Sequence, residues 1–247
     1  MNNNSFDNCY TMLTELEPTY FLHTRAYRDT SLLIEAFTRQ YGKVSVVARG
    51  VKGKKNRNAS LLQPFAPLLI SWWARGELGT LRHTELHQQP HWLTGNRLVS
   101  GLYLNELLNR LLGRHEAYPF LFDFYALTVQ RIATFPETEL STTLRLFEKF
   151  LLAQLGYGLT FDKDAQNGND VELDNYYAFD PARGCYQMQV DNPDYVARHL
   201  FKGSSLLALH HEQFSDKEQV NDAKRLMRMV LAQHLGEKPL YSRGLYL

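Results

Sequence analysis

The densest run of chemically active side chains in this sequence is cationic. In RGVKGKKNR (Arg49–Arg57) five of nine residues are basic, none is acidic, and two are glycine. Point charges on a glycine-loosened loop neutralise phosphates without reading base edges, so Arg49, Lys52, Lys54, Lys55 and Arg57 are candidates for a sequence-independent nucleic-acid contact. Arg25, Arg28, Lys43, Arg75 and Arg82 add charge to the same part of the chain. Tyr27, Phe37, Tyr41, Phe65, Trp72 and Trp73 are interleaved with them. Cations for phosphates with aromatic faces for bases is the composition of single-strand binding surfaces. Most of these rings are expected in a core. Trp72 and Trp73 are adjacent, however, and on a strand neighbours point to opposite faces, so one of the two must point outward.

Catalytic constellations are missing. The sequence has no G-x-S-x-G, P-loop, G-x-G-x-x-G or H-E-x-x-H pattern. His83, His87 and His91 are four apart, but TLRHTELH reads as a strand and Pro90 interrupts it, so a shared metal is not expected. DKDAQNGND (Asp162–Asp170) has the composition of a calcium loop but the wrong register. Its glycine is seventh, and Leu173 stands where the bidentate Glu belongs. No acidic cluster of the kind a nuclease needs is found. The expectation is a protein without catalytic site, metal or cofactor.

The elements that must position the cations read as β. YFLHTRAY, SLLIEAFTRQ, VSVVARG, LLISWWA and TLRHTEL are short apolar or alternating runs separated by polar and glycine turns. Five strands in about 65 residues predict a closed OB-fold barrel, whose loops hold oligonucleotides. From about Leu98 the apolar period becomes helical. RLVSGLYLNELLNRLLGRHE, PFLFDFYALTVQRIA, STTLRLFEKFLLAQLGYG and FSDKEQVNDAKRLMRMVLAQHLG are four helix candidates. The last has a capping box at Ser215 and Glu218 and a C-cap at Gly236. The fold class is therefore α+β and multidomain: a flexible extension over 1–19, an OB-fold DNA-binding domain over 20–90, and a helical domain over 95–247. A turn-rich insertion falls around 160–190, with a hairpin at Tyr176–Phe179 and Cys185–Met188.

Charge placement agrees with this division. The chain is nearly neutral at +1, yet Tyr20–Glu85 holds eleven basic and four acidic residues. A basic module in a balanced chain implies an anionic partner. Two cysteines, Cys9 and Cys185, cannot build a disulfide framework or a cysteine-rich zinc site. Neither a secretory leader nor a membrane-spanning run is expected, which fits a reducing, cytoplasmic, nucleoid-associated protein.

YRDTSLLIEAFTRQYGK, ARGVKGKKNR, LLQPFAPL, SGLYLNELLNRLL, LFEKFLLAQLGYGL and KRLMRMVLAQHLGEKPLYSRGLY resemble successive blocks of the RecO family of DNA repair and recombination mediators. The resemblance runs from about Tyr20 to Tyr246. It implies an N-terminal OB-fold, a helical C-terminal domain and no enzymatic activity. It also implies binding of single- and double-stranded DNA, annealing of complementary strands, and loading of the RecA recombinase onto DNA coated by single-strand-binding protein (SSB). Its implied partners are RecR, the C-terminal tail of SSB and, indirectly, RecA, with no membrane. Many relatives carry a four-cysteine zinc site after LGYGL; with Cys185 alone there, this chain is similar to the zinc-free branch.

An SSB tail is implied to be acidic and to end in an aromatic residue and a carboxylate. The helix TLRLFEKFLLAQLG offers an apolar stripe including Phe147 and Leu151 with the cations Arg145 and Lys149, and Arg110 or Arg114 of the first helix could add a second cation. The competing reading is that the stripe is core and the charges are solvated. Lys224, Arg225 and Arg228 either extend a DNA path or form ordinary surface. From other classes, an OB-fold RNA-binding protein and a non-catalytic interaction scaffold are the alternatives.

Overall fold

The computed structural model describes residues 11–51, 61–180, 183–189 and 199–245. Lys52, Lys54, Lys55 and Arg57 lie outside these residues. The chain divides into two compact units, 1–133 with 242–247, and 134–241.

In the first unit five strands close a barrel in the order β1-β2-β3-β5-β4: β1 (Thr11–Tyr27), β2 (Ser31–Thr38), β3 (Gly42–Ala48), β4 (Leu68–Arg75) and β5 (Leu78–Leu86). The barrel is filled by Phe21, Ile34, Ala36, Val44, Val46, Leu68, Ile70 and Trp72. β1 is 17 residues long and pairs twice, its first half with β4 (Thr11↔Arg75 to Thr19↔Leu68) and its second half with β2 (Thr19↔Thr38 to Tyr27↔Ser31). This corrects the expected extension. Thr11–Thr19 are strand, and they were hard to recognise because Glu15, Glu17 and Pro18 dilute the apolar pattern.

Two irregularities bend β1, between Thr14 and Glu17 and between Phe21 and His23. Each is held by side chains. At the first, the Leu16 amide donates to Ser71 Oγ at 3.0 Å, and Leu16 itself has a φ of 48°. At the second, Asn105 Nδ2 donates to the carbonyls of Phe21 (3.4 Å) and Leu22 (3.2 Å).

Asn105 lies on α1 (Gly95–Leu111), and α1 and α2 (Pro119–Thr134) belong to the barrel unit up to Ala133 rather than to the later helices. The boundary between these compact units falls at 133/134. The reason is aromatic packing. Tyr20 and Phe37 on the barrel's outer face meet Phe122 and Tyr125 of α2 at ring centroid distances of 5.0–6.3 Å. Tyr125, fully buried, donates its hydroxyl to Asn105 Oδ1 at 2.5 Å, and burial holds the phenol well above its ordinary pKa.

In the second unit, α3 (Leu140–Gln154), α4 (Gly203–His211) and α5 (Lys217–Leu235) accompany a three-stranded sheet of order β7-β6-β8: β6 (Tyr176–Asp180), β7 (Gly184–Met188) and β8 (Leu200–Lys202). The predicted hairpin is present, whereas α4 has no counterpart among the sequence expectations. The α5 cap is displaced by one residue. Asp216, not Ser215, accepts from the Gln219 amide at 2.8 Å, while Gln219 Oε1 accepts from the Ser215 amide at 2.7 Å.

Both outer edges of the small sheet are occupied by polar groups. On β7 the Gln187 amide donates to Asp164 Oδ2 (2.8 Å), and the Cys185 carbonyl accepts from the Ala165 amide (2.7 Å). On β8 the Leu200 carbonyl accepts from Arg225 (2.9 Å). Asp164, 3% exposed, also accepts from the amides of Gln166 and Asn167 and so shapes the acidic loop as a carboxylate-centred turn.

Truncating Asn105 strands the buried Tyr125 hydroxyl and releases the second β1 bend. Asn105→Ala is expected to lower unfolding free energy by about 2–3 kcal/mol, the scale of an unsatisfied buried polar group, measured by urea denaturation. A loss below about 0.5 kcal/mol would show that the bend holds itself.

Candidate nucleic-acid interface

One rim of the barrel gathers the exposed arginines, and strand register is what gathers them. β1 turns into β2 through Arg28, whose φ is 51° and whose guanidinium lies 5.4 Å from the Tyr27 ring centroid. Leu32 pairs with Ala48, so Arg49, the next residue after β3, comes to the same end. β5 runs parallel to β3 with Val47 opposite Thr80, which carries Arg82 upward to it. On β5 the register moves from Trp72↔Leu81 to Ser71↔His83, so Arg82 has no partner across and is turned out of the ladder.

Arg25, Arg28, Arg49, Arg75 and Arg82 are all exposed. Arg28, Arg49 and Arg82 share this rim, whereas Arg75, at the end of β4, pairs with Thr11 at the opposite end of β1. Lys52–Ser60 joins Val51 to Leu61, and Val51 is two residues past Arg49 on this rim. Trp72 faces the core, edge-on to Tyr41 at 5.5 Å, and Trp73 points to the outer face.

Lys43 does not belong to this set. It is 8% exposed and donates to the Asn109 carbonyl in the last turn of α1 at 2.7 Å. Burial, and then the neighbouring Arg114 charge, push its ammonium below its ordinary pKa. Lys43 is a helix C-terminal cap, and the sequence offers no sign of it because a lysine beside a turn glycine reads as surface.

The residues proposed for a peptide tail are likewise placed differently from expectation. Phe147 and Leu151 are 0% exposed, so the α3 stripe is core and not an open groove. Lys149 donates to the carbonyls of Leu209 and His210 and to Glu212, capping α4. Arg114 donates to Ser45 Oγ and lies 3.4 Å from Glu35, which fixes the end of α1 on β3. Arg110 lies 4.0 Å from Glu106, whose carboxylate accepts from Ser242. Both arginines are in the barrel unit, whereas Arg145 and Lys149 are in the other.

Arg145 is 4% exposed and donates to Glu148 at 2.6 Å. Its neighbours are Lys224 and Arg228: the Lys224 ammonium is pushed below its ordinary pKa by burial first, then by the charges of Arg228 and Arg145. Lys224 thus lies within electrostatic reach of Arg228, Arg145 and Glu148. Arg225 is turned elsewhere, donating to Asp222 (2.7 Å) as well as Leu200 and lying 4.8 Å from the Phe201 ring centroid, so it ties β8 to α5.

The rim opposite the arginines is of another kind. Arg39 and Asp123 form a two-bond ion pair, both bonds 2.9 Å, beside a cavity of about 220 Å³ lined by Pro18, Tyr20, Leu68 and Phe122. Glu17, 7% exposed, accepts from the Gln40 amide at 2.6 Å; desolvation nonetheless raises its pKa. Among the described residues no cluster of three or more His, Cys, Asp or Glu could hold a metal ion, and no helix is long and apolar enough to cross a membrane.

Residues 12–90 match the model of the recombination protein O N-terminal domain, and residues 93–244 that of its C-terminal domain. The chain belongs to the RecO family. Proteins described as DNA repair protein RecO are similar to it throughout. One from Nitrosococcus oceani is 42% identical, covering 95% of this chain and 93% of the relative. One from Coxiella burnetii is 40% identical over 95% of this chain and 99% of the relative. One from Methylococcus capsulatus is 39% identical over 94% and 92%. The RecO N-terminal match coincides with the barrel, and its start at residue 12 agrees with a β1 that begins at Thr11. Membership of the RecO family places the protein in DNA repair and recombination.

Because the Glu17 pKa is raised, its carboxyl favours folding fully below the unfolded value near 4.5, and that contribution is lost as pH rises through the folded pKa. Glu17→Gln keeps the acceptor for Gln40 and removes the titration. The stability difference between variant and wild type, from urea midpoints at pH 4 and pH 7, should therefore shift in the variant's favour at pH 7. A difference independent of pH would show that the bonds from the turn amides outweigh desolvation.

Proposed function

We propose that this protein acts as a DNA-binding, strand-annealing mediator that passes SSB-coated single strands to RecA, without catalysis of its own. The carrying observation is the convergence of Arg28, Arg49 and Arg82 on one barrel rim, with the basic stretch Lys52–Arg57 beginning three residues after Arg49 in the sequence. Guanidinium groups spaced across adjacent strands meet a backbone of any sequence, which a mediator requires. Annealing follows if two strands are held by phosphates while their base edges stay available. RecR is the further partner in this reading.

Changing Arg28, Arg49 and Arg82 to Ala together should weaken single-stranded DNA binding equally for unrelated sequences. The slope of log K against log salt should fall by about 2, the value for three phosphate contacts on a single strand. A salt titration by fluorescence anisotropy decides it; an unchanged slope removes the rim from the DNA path. Annealing of complementary strands, with and without SSB, tests the mediator step itself.

The SSB tail is assigned in this proposal to the Arg145, Lys224 and Arg228 cluster rather than to the α3 stripe. Its positive excess over Glu148 suits a terminal carboxylate. Since removing Arg145 would leave Glu148 buried beside a vacated charge, the useful variants are Lys224→Ala and Arg228→Ala. Each is expected to weaken an SSB-tail peptide about five- to ten-fold in anisotropy titrations while leaving DNA affinity within two-fold. Peptide affinity equal to wild type in the double variant would place the tail elsewhere.

A further inference from the structure

We infer that Trp73 is a stacking platform for one unpaired base of the bound single strand. The inference rests on the DNA-binding reading above and names the residue that recognises the base rather than the phosphate.

β4 carries two adjacent tryptophans with opposite fates. Trp72 is 3% exposed, fills the barrel and is edge-on to Tyr41. Trp73 is half-buried on the outer face. Its partners across the sheet are Leu13 on β1, 59% exposed, and Thr80 on β5. Among the described residues it makes neither a ring contact nor a hydrogen bond. A partly exposed tryptophan in the middle of a strand, flanked by Leu13 and Thr80, offers a base the part of its ring that neighbours leave uncovered.

What surrounds it selects the ligand. Arg75 is two residues along the same strand and therefore on the same face. Arg82 is the unpaired residue on β5, two residues from the Thr80 that faces Trp73. Both are exposed, and the stretch Ser71–Arg82 holds a single acid, Glu77. The ring is thus flanked along the sheet by Arg75 on its own strand and by Arg82 on β5. A ring bracketed by cations takes a π-face bracketed by phosphates, which is one nucleotide of a single strand, whereas duplex bases keep their faces stacked on each other. An apolar segment of a protein partner would gain nothing from the two arginines.

The test uses the full-length chain and two oligonucleotides of equal length, oligo(dT) and an abasic strand with the same phosphates. In a Trp92→Phe background, Trp72 and Trp73 remain. Oligo(dT) should quench tryptophan emission, and the abasic strand, bound at low salt, should not. Trp73→Ala should weaken oligo(dT) binding about ten-fold or more, with the salt slope unchanged because no counterion is released, and should leave abasic-strand affinity unaltered. Trp73→Phe should keep most of the affinity, and Trp73→Leu, which keeps apolar area without a π-face, should behave like Ala.

Equal binding by Leu and Phe variants, or equal quenching by both strands, overturns the inference. So does oligo(dT) affinity unchanged by Trp73→Ala; the patch would then serve a protein partner. If that result comes with a lost salt slope in the Arg28, Arg49, Arg82 variant, the DNA-binding reading survives while this one falls. If wild type binds neither strand, both fall. The quenching comparison needs no change at Trp73, so a poorly folded variant does not leave the matter open.

Discussion

A sheet closes into a barrel when the strand at one end of its order also pairs with the strand at the other end, and here β1 does so by pairing with both β2 and β4. Seventeen residues pair first with β4 and then with β2, which demands two bends without loss of the ladder. Each bend leaves backbone groups to be satisfied elsewhere. Ser71 serves the first, and the Asn105 carboxamide serves the second. The second solution recruits α1, and through Tyr125 it recruits α2. The two helices are therefore part of what keeps the barrel closed. The convergence of Arg28, Arg49 and Arg82 follows from that closure, since it is register that brings β1, β3 and β5 to one rim.

Several cations of this chain are taken up by the framework. Lys43 and Lys149 each reach the last-turn carbonyls of a helix, α1 and α4, where backbone acceptors lack intrahelical partners. Arg225 fastens β8 to α5, and Arg114 fixes α1 on the barrel.

The barrel, its strand count and the later helices were legible because apolar period and glycine turns are local signals. VSVVA and LLISWW, for example, leave little choice but strand. The first half of β1 was not legible, since its pairing partner lies more than fifty residues away and its own composition is polar. The same distance problem hid the fate of the charges. Lys43, Arg114 and Arg145 look like surface residues until the carbonyl, hydroxyl or carboxylate opposite each is known. The α3 stripe was read correctly as apolar, but a stripe does not say whether core or ligand will cover it. The Trp72–Trp73 pair was more informative, because strand geometry alone requires that the two part ways.

The occupied edges of the small sheet carry a consequence for crowding. At high local concentration any open strand edge would find an identical edge on the next copy. With Asp164 and Ala165 filling the outer side of β7, and Arg225 on the Leu200 carbonyl of β8, the backbone groups that would seed such cross-pairing are already engaged. Copies brought close together can then remain separate molecules.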